Sequence, residues 1–280
     1  MFFTSATAPG KTGVPNEDWV AATSDLIVVL DGATIRTDTG CHHGVPWYTR
    51  KLGAGIIAGA ASRAQTLTGA LADAISSVRA LHPECDLDHP GTPSAAAGIL
   101  RLEDDKLRYA VLADISIVLD IGSEIVVISD ARVSQTASAE RKEADKYLIG
   151  SAEKQEALVA MKHKELAARN KPGGYWIAAA DPNVVSHALV GEYPRSAIRR
   201  LAVLSDGAVR AVEMFGLIKD WKTALDMLEA DGPEKFILAT REAELADPVG
   251  QQHPRNKRSD DATAVFASGG SLLNSLGELA

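Results

Sequence analysis

Four short acidic segments stand directly beside apolar, β-rich runs. They are Glu17-Asp18 before Trp19, Asp31-Gly32 after Leu26–Leu30, Asp206-Gly207 after Leu201–Leu204, and Asp260-Asp261 before Ala262–Ala267. The end of a strand projects its next residue from the rim of a sheet, and carboxylates gathered at one rim repel unless cations lie between them. A single Asp-Gly is ordinary turn chemistry, because Asp caps turns and Gly supplies positive φ. Four such segments, two of them Asp-Gly immediately after a hydrophobic run, point to a metal site. Carboxylate oxygens without a Cys/His set favour the hard cations Mg2+ and Mn2+, which keep several of their waters.

The elements that must position these acids follow from hydrophobic periodicity. Trp19–Ala22 and Leu26–Leu30 form a predicted hairpin around Thr23-Ser24-Asp25. Helical spacing then relates Tyr48, Leu52, Ile56 and Ile57, and again Leu67, Leu71, Ile75, Val78 and Leu81, giving two packed helices that end before Pro83. A run of predicted strands follows at Ala95–Leu102, Leu107–Leu112, Ile115–Leu119 and Ile125–Ile128, read as hairpins of one antiparallel sheet. Ser151–Arg169 reads as an exposed helix with a narrow apolar stripe, closed by Lys171-Pro172-Gly173-Gly174. Further strands are expected at Tyr175–Ala178, Val184–Leu189, Leu201–Leu204 and Ala262–Ala267. Helices are expected at Val209–Ile218, Trp221–Glu229 and Pro233–Leu245. Helix pairs grouped between hairpins indicate an α+β fold with helices layered on antiparallel sheets. With no internal repeat and no long linker, residues 1–270 read as a single domain and 271–280 as a C-terminal tail.

Composition narrows the function classes. The 280 residues are 46% hydrophobic and 24% charged, which excludes disorder and fibrous architectures. A net charge of −8 with no basic stripe argues against nucleic acid as a partner. No window is long and apolar enough to span a membrane. Two cysteines, Cys41 and Cys85, are too few for a disulfide framework, and the N-terminus has no secretory pattern, so a cytoplasmic protein with free thiols is expected.

Taken in order, Asn16-Glu17-Asp18, Val29-Leu30-Asp31-Gly32, Leu112-Ala113-Asp114, Leu204-Ser205-Asp206-Gly207 and Asp260-Asp261-Ala262-Thr263 resemble the motifs of the metal-dependent type 2C (PPM) serine/threonine protein phosphatases. The resemblance runs from about Asn16 to Phe266. It implies a four-layer α-β-β-α sandwich, with two central antiparallel sheets and a two-metal site, Mn2+ or Mg2+, in the cleft between them. It implies that Asp31 bridges both metals, that the Gly32 carbonyl binds one, and that Asp206 and Asp260 bind the other. Glu17 and Asp18 would hold metal-bound waters, and Asp114 with Asp206 would form the third site known in some members. The implied reaction is hydrolysis of phosphoserine and phosphothreonine on a phosphorylated protein by a metal-activated water, with Asp31 and Asp18 at its centre.

The sequence departs from the family at several positions. The Arg expected five residues before Asp18 is Gly13, which leaves Lys11 in the same loop, or Arg36, as the cation for substrate phosphate. The residue after the first Asp-Gly is Ala33 rather than His, and the glycine pair that follows is replaced. The Asp114 motif reads Ala-Asp-Ile-Ser in place of Gly-Asp-Ser-Arg. Cys41-His42-His43 follows in the segment leaving Asp31-Gly32. Three ligands in a row cannot all reach one tetrahedral metal, and no partner pair stands at zinc-finger spacing, so zinc is not expected. His43 is instead the candidate acid for the departing serine or threonine oxygen, against the alternative of a structural loop histidine. These losses motivate a second reading, a catalytically weak or silent phosphatase-like module that binds a phosphoprotein or regulatory partner. The oligomeric state is unknown from sequence.

Overall fold

The computed structural model describes residues 3–268; the expected tail at 271–280 lies outside them. The chain opens with β1 (Phe3–Ala8), β2 (Trp19–Ala22) and β3 (Leu26–Gly32), followed by α1 (Val45–Ala60) and α2 (Leu67–Ala80). Four strands come next, β4 (Ala95–Leu102), β5 (Lys106–Leu112), β6 (Ser116–Asp120) and β7 (Ile125–Ile128). Short helices α3 (Arg132–Gln135) and α4 (Ser138–Ala144) lead to α5 (Ala152–Ala168). The remainder is β8 (Leu189–Pro194), β9 (Arg200–Leu204), α6 (Asp206–Glu213), α7 (Trp221–Ala246) and β10 (Ala262–Ser268).

Two five-stranded antiparallel sheets result, ordered β1-β10-β9-β6-β7 and β2-β3-β4-β5-β8. Period-two alternation divides each strand between two cores. In β3, Leu26, Val28 and Leu30 pack under α1 and α2, while Ile27 and Val29 face the other sheet. In β9, Leu201 and Val203 fill the space between the sheets, and Ala202 and Leu204 pack under α6 and α7. Both faces of both sheets are therefore covered, which explains why the strands read as continuous apolar runs although they are antiparallel. The architecture is the expected α-β-β-α sandwich. Gly98 in β4 lets the sheets approach, since a Cβ there would collide with the Ile115 side chain.

Four expectations need correction. The strands β4 to β7 do not form one sheet: β4 and β5 belong to one and β6 and β7 to the other, and the chain crosses between layers at Ala113–Ile115. Ala113 makes that crossing with a left-handed φ of 68°, where the glycine of the family motif would be unstrained. Residues Pro182–His187 form a 3-10 helix rather than a strand, because Pro182 sits in its first turn and the Asp181 side chain caps the Asn183 N–H. Tyr175–Ala178 is extended but forms only isolated bridges, Tyr175 with Arg169 and Ala178 with Ala95. Finally, β1 has no counterpart among the expected strands: half of its residues are polar, and it exists through its ladder with β10.

Candidate metal centre

The acids reach one rim because the strand ends reach it. Asp31 and Gly32 close β3, paired with Ala96 and Ala95 of β4. Gly32 is needed for close packing: a Cβ there would meet the Glu17 carbonyl at 2.6 Å and collide with Val45. On the facing sheet, β9 ends at Leu204, Ser205 is the N-cap of α6, and Asp206 opens that helix. The backbone N–H of Asp206 donates to Asp31 Oδ2 at 3.2 Å, joining the two sheets across the cleft. The ends of β9 and β10 are locked by Ser205 N to the Thr263 carbonyl at 3.0 Å and Thr263 N to Ser205 Oγ at 2.9 Å. That clamp sets Asp260 beside Asp206.

Asp31, Gly32, Asp114, Asp206 and Asp260 all line a cavity of about 650 Å³. Asp18 lies buried beside this wall, with its Oδ2 accepting from Thr263 Oγ1 at 2.7 Å and its Oδ1 buried without a partner among the described residues. Glu17 Oε2 accepts from Thr34 Oγ1 at 2.8 Å. Asp261 serves the backbone instead. Its carboxylate accepts the N–H groups of Gly10 at 2.7 Å and Glu17 at 2.6 Å, fixing the N-terminal loop.

Electrostatics marks the cluster as under strain. Burial, followed by the charges of Asp206, Asp18, Asp114 and Asp260, holds the Asp31 carboxyl well above its ordinary value. Burial and then Asp206 push Asp114 up to about 7, and burial, with Asp206 and Asp261 adding repulsion, pushes Asp18 up to about 8. Asp206 is raised as well, by burial first and Asp260 second. Such a set, all oxygen and with one orphaned buried carboxylate oxygen, fits hard divalent cations.

Asp260 differs from the rest. Its carboxylate contacts Lys257 Nζ and pairs with Arg210 Nη2 at 2.5 Å, and these cations hold it below the ordinary range against the opposing effect of burial. Arg210 also pairs with buried Glu244 at 3.0 Å, and Lys257 donates to Thr34 Oγ1 at 2.7 Å. Neither cation was anticipated from sequence. The signal available was the basic segment Arg255–Arg258 immediately before Asp260. Asp130 was missed too; it lines the cavity, and its chelating Arg132 lies 2.5 Å away.

The structure does not bring Lys11 or His43 to the cavity. Lys11 is exposed in the turn before Gly13 and is no part of the wall; the half-buried Arg36 is, with its Nη2 donating to the Asn256 carbonyl at 3.3 Å. His43 is likewise absent from the wall. Its ring lies against Trp47, with centroids 4.1 Å apart, and its Nδ1 sits 3.5 Å from Cys85 Sγ. The reason is the course of the chain: after Arg36 it turns away from the rim toward the end of α2, where Asp86 N bonds the Gly40 carbonyl at 2.9 Å.

No protein-family model and no curated protein matches the sequence. Solved structures do match over nearly the whole chain. The PstP/Ppp serine/threonine phosphatase of Mycobacterium tuberculosis superposes with a TM-score of 0.57 at 15% identity, covering 95% of this chain and 97% of that one. This chain has the PPM phosphatase fold. A PPM Ser-Thr phosphatase of Mycobacterium smegmatis, MsPP, in complex with cacodylate, gives a TM-score of 0.54 at 18% identity with 95% and 97% coverage. A bacterial serine phosphatase gives 0.61 at 13% identity with 96% and 97% coverage. The PstP catalytic domain has also been solved in complex with two manganese ions, with a TM-score of 0.55 at 15% identity and 95% and 97% coverage. Within this PPM fold, no helix among the described residues is long and apolar enough to cross a membrane.

Proposed function

We propose that this protein hydrolyses phosphoserine and phosphothreonine on proteins, using two divalent cations, Mn2+ or Mg2+, held at the rim between its sheets. The observation that carries this reading is the convergence of Asp31, Asp114, Asp206 and Asp260 on one cavity, from segments distant in the chain, in a fold shared with serine/threonine phosphatases. Cations bound there would supply an activated water and a clamp for the phosphate oxygens. Asp31, the Gly32 carbonyl, Asp206 and Asp260 would hold them, Asp114 with Asp206 would hold a third, and Glu17 and Asp18 would orient their waters. Asp18, with its free Oδ1, is also able to hold a proton at that atom. Arg36 on the wall, with Lys257 beside Asp260, gives the phosphate dianion positive charge where the family's Arg is missing. Cys41 and Cys85 form no disulfide, which fits a reducing compartment such as the cytoplasm.

One observation favours the second reading, a weak or silent phosphoprotein-binding module: Asp260 is already neutralised by Arg210 and Lys257. Phosphate release from a phosphothreonine peptide decides between them. Turnover that requires Mn2+ or Mg2+, stops with EDTA and is lost in Asp206→Asn supports the enzyme. Peptide binding without turnover at saturating metal supports the module, and full turnover in EDTA with no metal by elemental analysis overturns the metal reading.

A further inference from the structure

Outside the acidic rim, four soft ligands converge from two loops. Cys41 and His43 come from the segment after β3, and His82 and Cys85 from the turn after α2; their ligating atoms all lie within 4.8 Å of one another. Cys41 Sγ is 3.4 Å from Cys85 Sγ, 3.4 Å from His82 Nδ1 and 3.6 Å from His43 Nδ1. Cys85 Sγ is 3.5 Å from His43 Nδ1. Zinc bonds of about 2.3 Å to sulfur and about 2.0 Å to nitrogen at tetrahedral angles give ligand–ligand edges of roughly 3.3–3.8 Å. The three sulfur–nitrogen distances thus already have the length of their edges in a Cys2His2 tetrahedron, and the sulfur–sulfur distance is a few tenths of an ångström shorter than its own. We propose that Cys41, His43, His82 and Cys85 bind a structural Zn2+ ion that staples the loop after Asp31-Gly32 to the end of α2.

The surroundings suit a closed structural site rather than a catalytic one. His82 is buried, and Trp47 covers both imidazoles, with centroids 4.1 Å from His43 and 4.6 Å from His82. The two loops are held in register by their own backbones. Cys85 N bonds the His82 carbonyl at 3.2 Å, so the turn ending α2 presents both of its ligands together. On the other side, Thr39 Oγ1 bonds the Cys41 carbonyl at 2.7 Å, and Cys41 N returns to Thr39 Oγ1 at 3.2 Å. Gly40 turns at a φ of +64°, where a Cβ would meet His89 Cβ at 2.6 Å. The donor set is soft, with two thiols and two imidazoles and no carboxylate, which selects zinc over the hard cations suited to the acidic rim. The proposal departs from the sequence expectation against zinc. Only two of the three consecutive residues at 41–43 are needed, and the partner pair stands about forty positions on, as His-x-x-Cys.

The staple bears on the acidic centre through the chain itself. The loop it anchors begins at Ala33 and carries Thr34 and Arg36, two residues of the cavity wall. The zinc proposal does not depend on the phosphatase reading, and its test reads metal rather than turnover. The protein is purified without added metal, dialysed, and assayed for zinc, then reconstituted with Co2+ after metal removal under reducing conditions. The expected results are one zinc per chain, and a tetrahedral cobalt spectrum with a thiolate-to-cobalt charge-transfer band. Cys41→Ser/Cys85→Ser loses both, and His43→Ala weakens them. Asp206→Asn, which lies outside the cluster, keeps both. Should the double variant fail to fold, the cobalt spectrum of the unsubstituted protein still decides, because carboxylate ligands give no thiolate band. The proposal is overturned by zinc-free protein that shows no such band on cobalt titration, by zinc retained unchanged in the double variant, or by a Cys41–Cys85 disulfide that still yields no cobalt site once reduced.

Discussion

Asp206 is the strongest charged neighbour acting on Asp31, Asp18 and Asp114, so replacing it with Asn tests the electrostatics of the rim directly. Its backbone N–H, which bonds Asp31 Oδ2, is untouched by the change. For two carboxylates at a separation of about 5 Å and an effective dielectric constant of about 20, ionisation of both costs about 3 kcal/mol, and protonation of one partner relieves part of that. Against this stands the loss of a negative charge at the first turn of α6, worth about 0.3–1 kcal/mol. The raised pKa of Asp206 itself gives the sign: its site disfavours the ionised form despite Arg210 and Lys257 nearby. Asp206→Asn should therefore stabilise the metal-free protein by about 1–2 kcal/mol, raising Tm by roughly 2–8 °C for a domain near this size. Mn2+ should raise the Tm of the unsubstituted protein, because a ligand that binds only the folded state stabilises it; in the variant that shift should largely vanish, together with activity. Differential scanning fluorimetry in EDTA and in Mn2+ measures both effects. A lower Tm in EDTA, or an undiminished Mn2+ shift, would refute the reasoning.

Other expectations follow from the same groups. In EDTA, stability should fall as pH rises from about 6.5 to about 8: folded Asp18 and Asp114, raised to about 8 and about 7, keep protons that the unfolded chain has already released, so the slope is negative. The half-buried His43 and the buried His82, lowered from 6.5, act in the opposite sense around and below pH 6.5 and fade through the lower part of that window, and saturating Mn2+ should flatten the fall; urea denaturation across the pH series reads the slope, and a rise toward pH 8 would contradict it. Lys257→Met removes a cation that competes for Asp260, so calorimetry should find tighter Mn2+ binding; weaker binding would mean that Lys257 supports the site. Arg36→Ala should raise KM for a phosphopeptide about tenfold, equivalent to about 1.4 kcal/mol of lost binding, with kcat nearly unchanged. Lys11→Ala should change neither constant, and a matching rise in KM for Lys11→Ala would restore the N-terminal loop to the substrate site.

Much of this protein was legible in the chain because the relevant signals are local. The continuous apolar runs Leu26–Leu30 and Leu201–Leu204, each followed closely by Asp-Gly, specified strands that stop at a rim and place a carboxylate there. The Ala-, Glu-, Lys- and Leu-rich segment Ser151–Arg169 likewise specified a helix with a narrow apolar stripe, on which Leu158 and Met161 are buried. It could not foretell that Lys154 would be buried, because that depends on the Ala144 carbonyl of α4 accepting its ammonium at 2.7 Å. The half-polar strand β1 and the split of β4 to β7 between two sheets were set by partners remote in sequence. Charge balance belongs to the same class. Which acid is paired and which is left repelling its neighbours depends on distances between segments, so Asp260 is neutralised by Arg210 from α6 and by Lys257, while Asp31 has acids around it. The same holds for the Cys41–His43 and His82–Cys85 pairs: each is too short to enclose a metal, and only the packing of α2 against the loop after β3 brings their ligating atoms within 4.8 Å of one another. The order of residues along the chain sets the period of an element and the chemistry at its ends. Coulomb energy and coordination geometry depend on through-space distance, and that is set only when the layers pack.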